Sequence, residues 1–237
     1  MVKYVPWMLH NVQDYRCRDE KIRRLVGIEE IEPYLHEYFG YVELQKKIET
    51  VAKPRVSLPR ILGGGFSFII GPALYTLCRV HKPKIVVETG VSHGVSSYVI
   101  LTAMSMNGQG MLYSIDLPTS IYEIPGCGIT RFDLDIRKVG WIIPNRIRRR
   151  WKLFIGDARK LLRPLLEDLG EIDIFLHDSE HTYEHMMFEF VNSYPVIKKG
   201  GLLLADDINL NAAFKDFVSR VTGIETRFYT WGAIKKL

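Results

Sequence analysis

Acidic residues follow two predicted strands in the second half of the chain. Asp178 comes soon after the apolar run 173–176, and Asp206 and Asp207 come directly after the run 201–205. If these strands are neighbours in a parallel sheet, they lie about 4.8 Å apart and the three carboxylates converge. An all-oxygen ligand set suits Mg²⁺ or a similar divalent cation, which keeps several waters that a substrate can displace. We therefore predict Asp178, Asp206 and Asp207 as metal ligands.

The geometry of an extended strand sets a condition on this metal site. Adjacent strand residues point to opposite faces, so Asp206 and Asp207 can reach one ion only if the strand has ended by Asp206. Otherwise one of them caps the next helix or faces solvent.

A histidine close to these acids is the candidate base. His181 lies three residues after Asp178, so the two share a face if a helix has begun. A neutral imidazole could then remove the proton of a metal-bound hydroxyl, and we predict His181 and Asp178 as catalytic residues. A capping or packing role is the alternative interpretation of His181.

The first predicted strand-to-helix turn reads E-T-G-V-S-H-G-V-S from Glu88. Gly90 and Gly94 allow a ligand to lie against the backbone. The dinucleotide pattern G-x-G-x-x-G is not met, because Ser92 takes the place of its middle glycine. An acid before the turn favours a cationic ligand without phosphate, such as S-adenosylmethionine (SAM), whose carboxylate Ser96 could bind.

The ends of the next two strands complete a predicted cofactor pocket. Asp116 is placed to accept hydrogen bonds from both ribose hydroxyls, and residues 156–158 lie where the adenine would be. Taken singly, such residues are also common in ordinary turns and helix caps. The predicted cofactor-binding residues are Glu88, Thr89, Gly90, Ser92, Gly94, Ser96, Asp116, Gly156, Asp157, Ala158, His177 and Asp178.

Alternating strands and helices must position these residues. Continuous apolar strands between helices indicate a parallel sheet covered on both faces, and right-handed crossovers bring the carboxyl ends of all strands to the edge where ligands bind. Residues 224–235 are predicted to add a terminal hairpin. The fold class is therefore α/β, a doubly wound Rossmann-like sheet of seven strands, mostly parallel, with a C-terminal antiparallel hairpin. The five apolar runs that precede acidic residues are 85–87, 111–115, 152–155, 173–176 and 201–205.

The 237 residues are enough for one large domain. Residues 1–60 have a helical period and are predicted to form an N-terminal helical cap, whose apolar faces could also support a homodimer. Residues 61–237 form the α/β domain. Within it, the connection 117–151 is long enough to be a lid that excludes water and shapes an acceptor pocket.

The amino-acid composition limits the classes of protein to which the chain could belong. With 47% hydrophobic and 25% charged residues the chain is that of a globular protein. No apolar run is long enough for a bilayer and the first residues do not resemble a signal peptide, so we expect a cytoplasmic protein without a membrane partner. The three cysteines are far apart, which predicts reduced thiols rather than disulfides.

The basic run 146–152 raises the question of a nucleic-acid partner. Together with Trp151 it could grip a phosphate backbone or an acidic substrate, whereas a solvated surface is the alternative. The net charge of +5 is small for this length. No N-P-P-Y or D-P-P-Y tetrapeptide and no Pro-Cys pair is present in the sequence, which argues against methylation of a nucleic-acid base.

Taken in order, these motifs resemble the class I SAM-dependent methyltransferases. The resemblance is carried by V-E-T-G at 87–90 with Gly94 and Ser96, S-I-D at 114–116, I-G-D-A at 155–158, I-D-I-F-L-H-D-S-E-H-T-Y-E at 172–184, and K-G-G at 199–201 with D-D at 206–207. Within that superfamily, H-D-S-E-H-T-Y-E followed by G-G and D-D is similar to the metal-assisted small-molecule O-methyltransferases related to the macrocin and catechol enzymes.

The resemblance implies a methyltransferase that uses SAM, releases S-adenosylhomocysteine (SAH) and methylates a hydroxyl of a small molecule with the help of Mg²⁺. It also implies that Asp178, Asp206 and Asp207 hold the metal. Two alternatives remain open at this point: an RNA or DNA methyltransferase that uses the run 146–152, and a non-catalytic module that binds SAM or a nucleotide.

Overall fold

The computed structural model of the protein describes residues 12–52, 70–124, 128–228 and 230–237. The outer parts of the predicted helical cap, 1–11 and 53–60, lie outside the described residues. The helices are α1 Val12–Val26, α2 Glu32–Gly40, α3 Val42–Ala52, α4 Gly71–His81, α5 Val95–Asn107, α6 Asn145–Arg148, α7 Ala158–Leu169, α8 Tyr183–Ser193 and α9 Ala213–Val218. The strands are β1 Ile85–Thr89, β2 Met111–Asp116, β3 Thr119–Ile124, β4 Gly128–Asp133, β5 Trp151–Ile155, β6 Ile172–His177, β7 Ile197–Ala205, β8 Gly223–Phe228 and β9 Trp231–Lys236.

Seven of the strands form one sheet in the order β5-β2-β1-β6-β7-β9-β8. Strands β5, β2, β1, β6 and β7 run parallel, whereas β9 is antiparallel to both β7 and β8. The predicted Rossmann-like sheet with a C-terminal antiparallel hairpin is confirmed. Thr89 lies opposite His177, and His177 lies opposite Ala205, so the carboxyl ends of β1, β6 and β7 are level with one another.

Two hydrophobic cores cover the two faces of this sheet. On β1, Val86 belongs to the core shared with α4 and α5, while Val87 belongs to the core shared with α7 and α8. On β7, Leu202 belongs to the first of these cores and Leu203 to the second. Because neighbouring residues of a strand face opposite sides, burial of both faces requires strands that are apolar throughout.

The N-terminal helices pack their apolar faces onto the rest of the chain. Leu25 of α1, Leu35 and Tyr38 of α2 and Leu44 of α3 are buried in the same core as α4 and α5. The ring of Tyr38 lies 5.6 Å from that of Tyr75 in α4. These apolar side chains therefore pack within one chain, and the homodimer stays a prediction. Among the described residues, no helix is both long and apolar enough to cross a membrane.

The long connection 117–151 contains more regular structure than a loop. Strands β3 and β4 form a separate antiparallel pair, with Thr119 opposite Asp133. A short 3₁₀ helix, Ile136–Lys138, and α6 follow. The strand sequences T-S-I-Y-E-I and G-I-T-R-F-D are rich in β-branched and aromatic residues and flank a Pro-Gly pair, a pattern that is typical of a β-hairpin.

Candidate functional site

The glycine turn after β1 is pressed against the end of β6. Gly90 has a φ of +83°, and a Cβ built on it would lie 1.7 Å from the carbonyl oxygen of Asp178. Gly94, the N-cap residue just before α5, has a φ of +95°, and a Cβ built on it would lie 2.7 Å from Cα of Gly140. At both positions only glycine fits the conformation and the space. The turn is thus held between β6 and the long connection.

Glu88, at the carboxyl-terminal half of β1, is fully buried beneath this turn. Its carboxylate accepts hydrogen bonds from Ser96 (2.5 Å), Ser97 (2.6 Å) and Ser114 (2.8 Å). Burial raises the pKa of Glu88 to about 7, although the three hydroxyls oppose the shift. The hydroxyl of Ser96, predicted to bind the carboxylate of a ligand, is instead directed at Glu88.

Asp116, at the end of β2, holds the glycine turn by its backbone. Its Oδ2 accepts from the N–H of Val91 (2.6 Å) and the N–H of Ser92 (2.8 Å). Its Oδ1 is buried and has no partner within the described part of the chain. Since buried polar atoms are normally satisfied, Oδ1 is the atom left for a ligand donor. The predicted two-oxygen contact with a ribose is therefore reduced to one free oxygen.

The turn after β5 has the predicted place, but its acid, Asp157, has a structural role. The carboxylate of Asp157 accepts from the backbone N–H of Arg159 at 2.8 Å and caps α7, which begins at Ala158. Gly156 donates its N–H to the carbonyl of Asp116 and continues the sheet edge beside it. This turn borders the edge at Asp116, where the adenine was predicted.

The carboxyl ends of β6 and β7 bring the predicted catalytic residues together. Nε2 of His181 lies 4.0 Å from Oδ1 of Asp178 and 3.7 Å from Oδ2 of Asp207. Burial, and then the charges of Asp206, Glu88 and Asp207, raise the pKa of Asp178 well above its usual value. Burial also lowers the pKa of His181, to about 3, with a smaller effect from a neighbouring histidine.

The described side chains of Asp178, Asp206 and Asp207 are not grouped as a metal-ligand set, and the magnesium site stays a prediction. Strand β7 ends before Asp206, as the site requires, but Oδ1 of Asp206 accepts from the N–H of Asp207 (2.7 Å) and the hydroxyl of Thr230 (3.1 Å). Asp207 has a φ of +50°, and its carboxylate approaches His181. Over the described ranges, no three His, Cys, Asp or Glu side chains are grouped so that they could hold a metal ion.

A buried glutamate that the sequence analysis missed lies next to this site. Glu189, on α8, is 0% exposed and accepts hydrogen bonds from Thr89, His177, Ser179 and His185. Thr89 and His177 were predicted to line the cofactor, but both side chains are directed at Glu189. The sequence does contain an indication of this buried acid, because Glu189 interrupts the apolar stripe that Met186 and Phe190 form on α8.

The long connection docks on the glycine turn. Gly140 donates its N–H to the carbonyl of Ser92 at 2.9 Å, and Nε1 of Trp141 donates to Nδ1 of His93 at 2.9 Å. Trp141 is 40% exposed, so its ring lies at the surface above the turn. The segment predicted as a lid therefore contacts the predicted cofactor turn directly.

Several arginines of the basic run 146–152 bond to other parts of the protein. Arg146 forms a two-bond ion pair with Glu43 of α3, with a shortest distance of 2.7 Å. Arg148 donates to the carbonyls of Gly140 and Ile143, and Arg150 donates to a backbone carbonyl as well. These three arginines of the run therefore have partners within the protein.

Comparisons with known proteins agree with this architecture. Residues 87–208, just over half of the chain, match the family model described as "Methyltransferase domain". No curated protein matches the sequence. Among solved structures, the O-methyltransferase TomG from Streptomyces achromogenes, involved in tomaymycin synthesis and solved with SAM, is similar at 18% identity and a TM-score of 0.56, over 89% of this chain and 100% of that one.

Two further solved structures have the same fold. The O-methyltransferase from Bacillus cereus, in complex with SAH, is 14% identical with a TM-score of 0.56, over 87% of this chain and 100% of that one. The methyltransferase PaMTH1 from Podospora anserina, also bound to SAH, is 14% identical with a TM-score of 0.57, over 83% and 88% of the two chains.

Proposed function

Because the chain belongs to the methyltransferase domain family, we propose that it transfers the methyl group of SAM to a hydroxyl oxygen of a small molecule. The observation that carries the proposal is the group of acids at the sheet edge. Burial, and then the charges of Asp206, Glu88, Asp207 and Asp116, raise the pKa of Asp178, so a cation bound among these carboxylates would lower the energy of the group. SAM brings two positive charges, a sulfonium and an ammonium.

The free oxygen of Asp116 supports the same ligand. Oδ1 of Asp116 is buried and unsatisfied in the described residues, and a hydroxyl donor would satisfy it. A ribose hydroxyl at the end of β2 is such a donor. The glycine turn, which Asp116 holds by two backbone bonds, would then lie along the amino-acid part of the cofactor.

The proposed reaction needs a base beside the acceptor oxygen, and His181 supplies it. The oxygen attacks the methyl carbon in line with sulfur, the C–S bond breaks and its electron pair stays on sulfur, giving SAH. The hydroxyl proton passes to Nε2 of His181. Burial keeps His181 neutral at pH 7, so its ring can accept the proton, and the positive charges of bound SAM would keep Asp178 and Asp207, both within 4.0 Å, ionised beside the imidazolium that forms.

Oxygen as the acceptor atom is favoured by the neighbours rather than by the site itself. The TomG and Bacillus cereus structures are described as O-methyltransferases. For this chain we propose SAM as the cofactor and a soluble small molecule with a hydroxyl group as the acceptor. The described side chains of Asp178, Asp206 and Asp207 are not grouped as a ligand set, so the proposed transfer uses residues of the chain alone, and the metal is tested separately.

Nucleic acid is the less favoured acceptor. Arg146 is paired with Glu43, and Arg148 and Arg150 are bonded to backbone carbonyls. A run committed in this way leaves few charges for phosphates. A module that binds SAM without turnover would also bind SAH, and methyl transfer distinguishes it from an enzyme.

The test is calorimetric titration with SAH, followed by a methyl-transfer assay on a panel of catechols, phenols and sugars with labelled SAM. We expect SAH to bind to the wild type and to bind more weakly to Asp178→Ala, with Asp168→Ala, which removes an exposed aspartate near the end of α7, as a matched control. Methyl transfer to at least one hydroxyl compound, with and without EDTA, would establish the acceptor class and the role of metal. Failure of SAH to bind would overturn the proposal.

A further inference from the structure

We propose that Glu189 is a positioning residue for methyl transfer, which fixes the ring of His177 and the turn that carries Asp178 and His181. The inference rests on the proposed function, in which His181 is the base. Glu189 itself does not reach the reacting atoms. It lies on α8, behind the carboxyl ends of β1 and β6.

Four donors use both oxygens of the Glu189 carboxylate. Oε2 accepts from the hydroxyl of Thr89 and from Nδ1 of His177, each at 2.6 Å. Oε1 accepts from the hydroxyl of Ser179 at 2.9 Å and from Nε2 of His185 at 2.8 Å. These donors come from the end of β1, the end of β6, the turn after β6 and α8. One buried group thus ties four parts of the site together.

The charge state of Glu189 determines the tautomers of two histidines. Burial alone would raise the pKa of Glu189, but its interactions with His177 and His185 hold that pKa well below the usual range. An ionised carboxylate only accepts hydrogen bonds, so the proton lies on Nδ1 of His177 and on Nε2 of His185. Nε2 of His177 is buried and has no hydrogen-bond partner in the described part of the chain, and Nδ1 of His185 lies 3.7 Å from Oε2 of Glu180.

The contacts lead from Glu189 to the proposed base in two ways. The ring of His177 meets that of His181 edge to face, with centroids 5.2 Å apart. Ser179 lies in the short turn between Asp178 and His181, so the bond from Ser179 to Glu189 fixes that turn from behind. Because small displacements of a catalytic group are costly in rate, loss of this anchor is expected to reduce turnover.

A glutamine at position 189 keeps the shape of the side chain and removes its charge. Glu189→Gln keeps the volume and one accepting oxygen, but its amide nitrogen faces either the pair Thr89 and His177 or the pair Ser179 and His185. A hydroxyl can reverse to accept, whereas a histidine facing the amide must exchange its tautomer. The variant therefore changes the tautomer of one histidine without opening a cavity.

The experiment compares wild type with Glu189→Gln, Glu189→Asp and the control Glu184→Gln, which changes an exposed glutamate of the same helix. Three readouts are taken: SAH affinity by calorimetry, histidine tautomers by long-range ¹H–¹⁵N NMR, and kcat and KM for a hydroxyl compound that the wild type methylates. The NMR arm needs neither cofactor nor acceptor, so it tests the inference even if no acceptor is methylated. SAH binding and methyl transfer by the wild type test the proposed function separately.

For Glu189→Gln we expect a tautomer change at His177 or His185, SAH affinity within about threefold of wild type, and a kcat lower by about tenfold or more with little change in KM. Glu189→Asp keeps the charge and should retain both tautomers and recover part of kcat. Glu184→Gln should match wild type. The positioning role would be overturned by unchanged histidine tautomers in Glu189→Gln, or by a kcat equal to that of wild type. It would also be overturned if Glu189→Gln lost SAH affinity and stability equally, without a fall in kcat at a nearly constant KM.

Discussion

The burial of Glu88 leads to a pH dependence of stability that can be worked out from its surroundings. Glu88 is 0% exposed, is bonded only to serine hydroxyls among its observed partners, and has a pKa raised from 4.5 to about 7. In the unfolded chain the carboxyl ionises near its ordinary value. Between these two pKa values the folded protein binds one more proton than the unfolded one, so the free energy of unfolding falls as the pH rises.

The size of the effect follows from the shift. At about 1.4 kcal/mol per pKa unit, Glu88 lowers the free energy of unfolding by about 3 kcal/mol between pH 4 and pH 8. Stability from this group is fully present below pH 4.5 and is lost as the pH rises through about 7. Glu88→Gln has nearly the same volume and does not titrate. Relative to wild type, the variant should therefore gain about 3 kcal/mol over the same range.

The assay is urea unfolding of both proteins at several pH values, followed by fluorescence. Subtracting the two free energies at each pH removes the titration of most other acids. Glu184→Gln, which loses an exposed carboxyl on α8, is the control and should follow the wild type within about 0.5 kcal/mol. A difference between wild type and Glu88→Gln that stays constant from pH 4 to pH 8 would refute the reasoning, because Glu88 would then ionise at its ordinary pKa.

Three further outcomes are expected. Gly90→Ala should lower the free energy of unfolding by more than about 2 kcal/mol in thermal or urea unfolding, whereas Gly108→Ala, with a similar φ but open space around it, should cost only about 1 kcal/mol. Asp116→Asn keeps an oxygen for the turn but places a donor at the free position, so calorimetry should show SAH affinity reduced about tenfold; equal affinity would contradict a ribose contact. Trp141→Phe removes the bond to His93 and should destabilise by about 1 kcal/mol, and unchanged urea unfolding would show that this contact is not formed in solution.

The sheet and the positions of its acids could be predicted from the sequence because both are local signals. Each apolar run that precedes an acid, such as 173–176 before Asp178, became a strand of the main sheet. The order of motifs along the chain then placed Glu88 and Asp116 at one edge. The residue types alone did not reveal their partners. Ser96 and Asp116 bond to the protein itself, and that depends on how neighbouring strands align.

Residues whose partners are distant in sequence could not be predicted in this way. Thr89 and Glu189 are 100 positions apart and form one hydrogen bond. Arg146 is separated by 103 positions from Glu43, with which it pairs, so the run around it looked like a free basic surface. The hydroxyl of Thr230 donates to an oxygen of Asp206, 24 positions earlier, and the acids alone do not indicate this contact. In each case the tertiary fold supplies the partner.

The strand order has a consequence for how the protein is made. Strand β9 lies between β7 and β8, and Asp206 at the end of β7 is bonded to Thr230, just before β9. A ribosome releases β7 and β8 before β9, so β7 keeps an open edge until residues 230–236 emerge. Open strand edges invite pairing with other chains. Of the strands in this sheet, the last to be synthesised is therefore the one that covers the open edge of β7, and Thr230 just before it completes the contacts of Asp206.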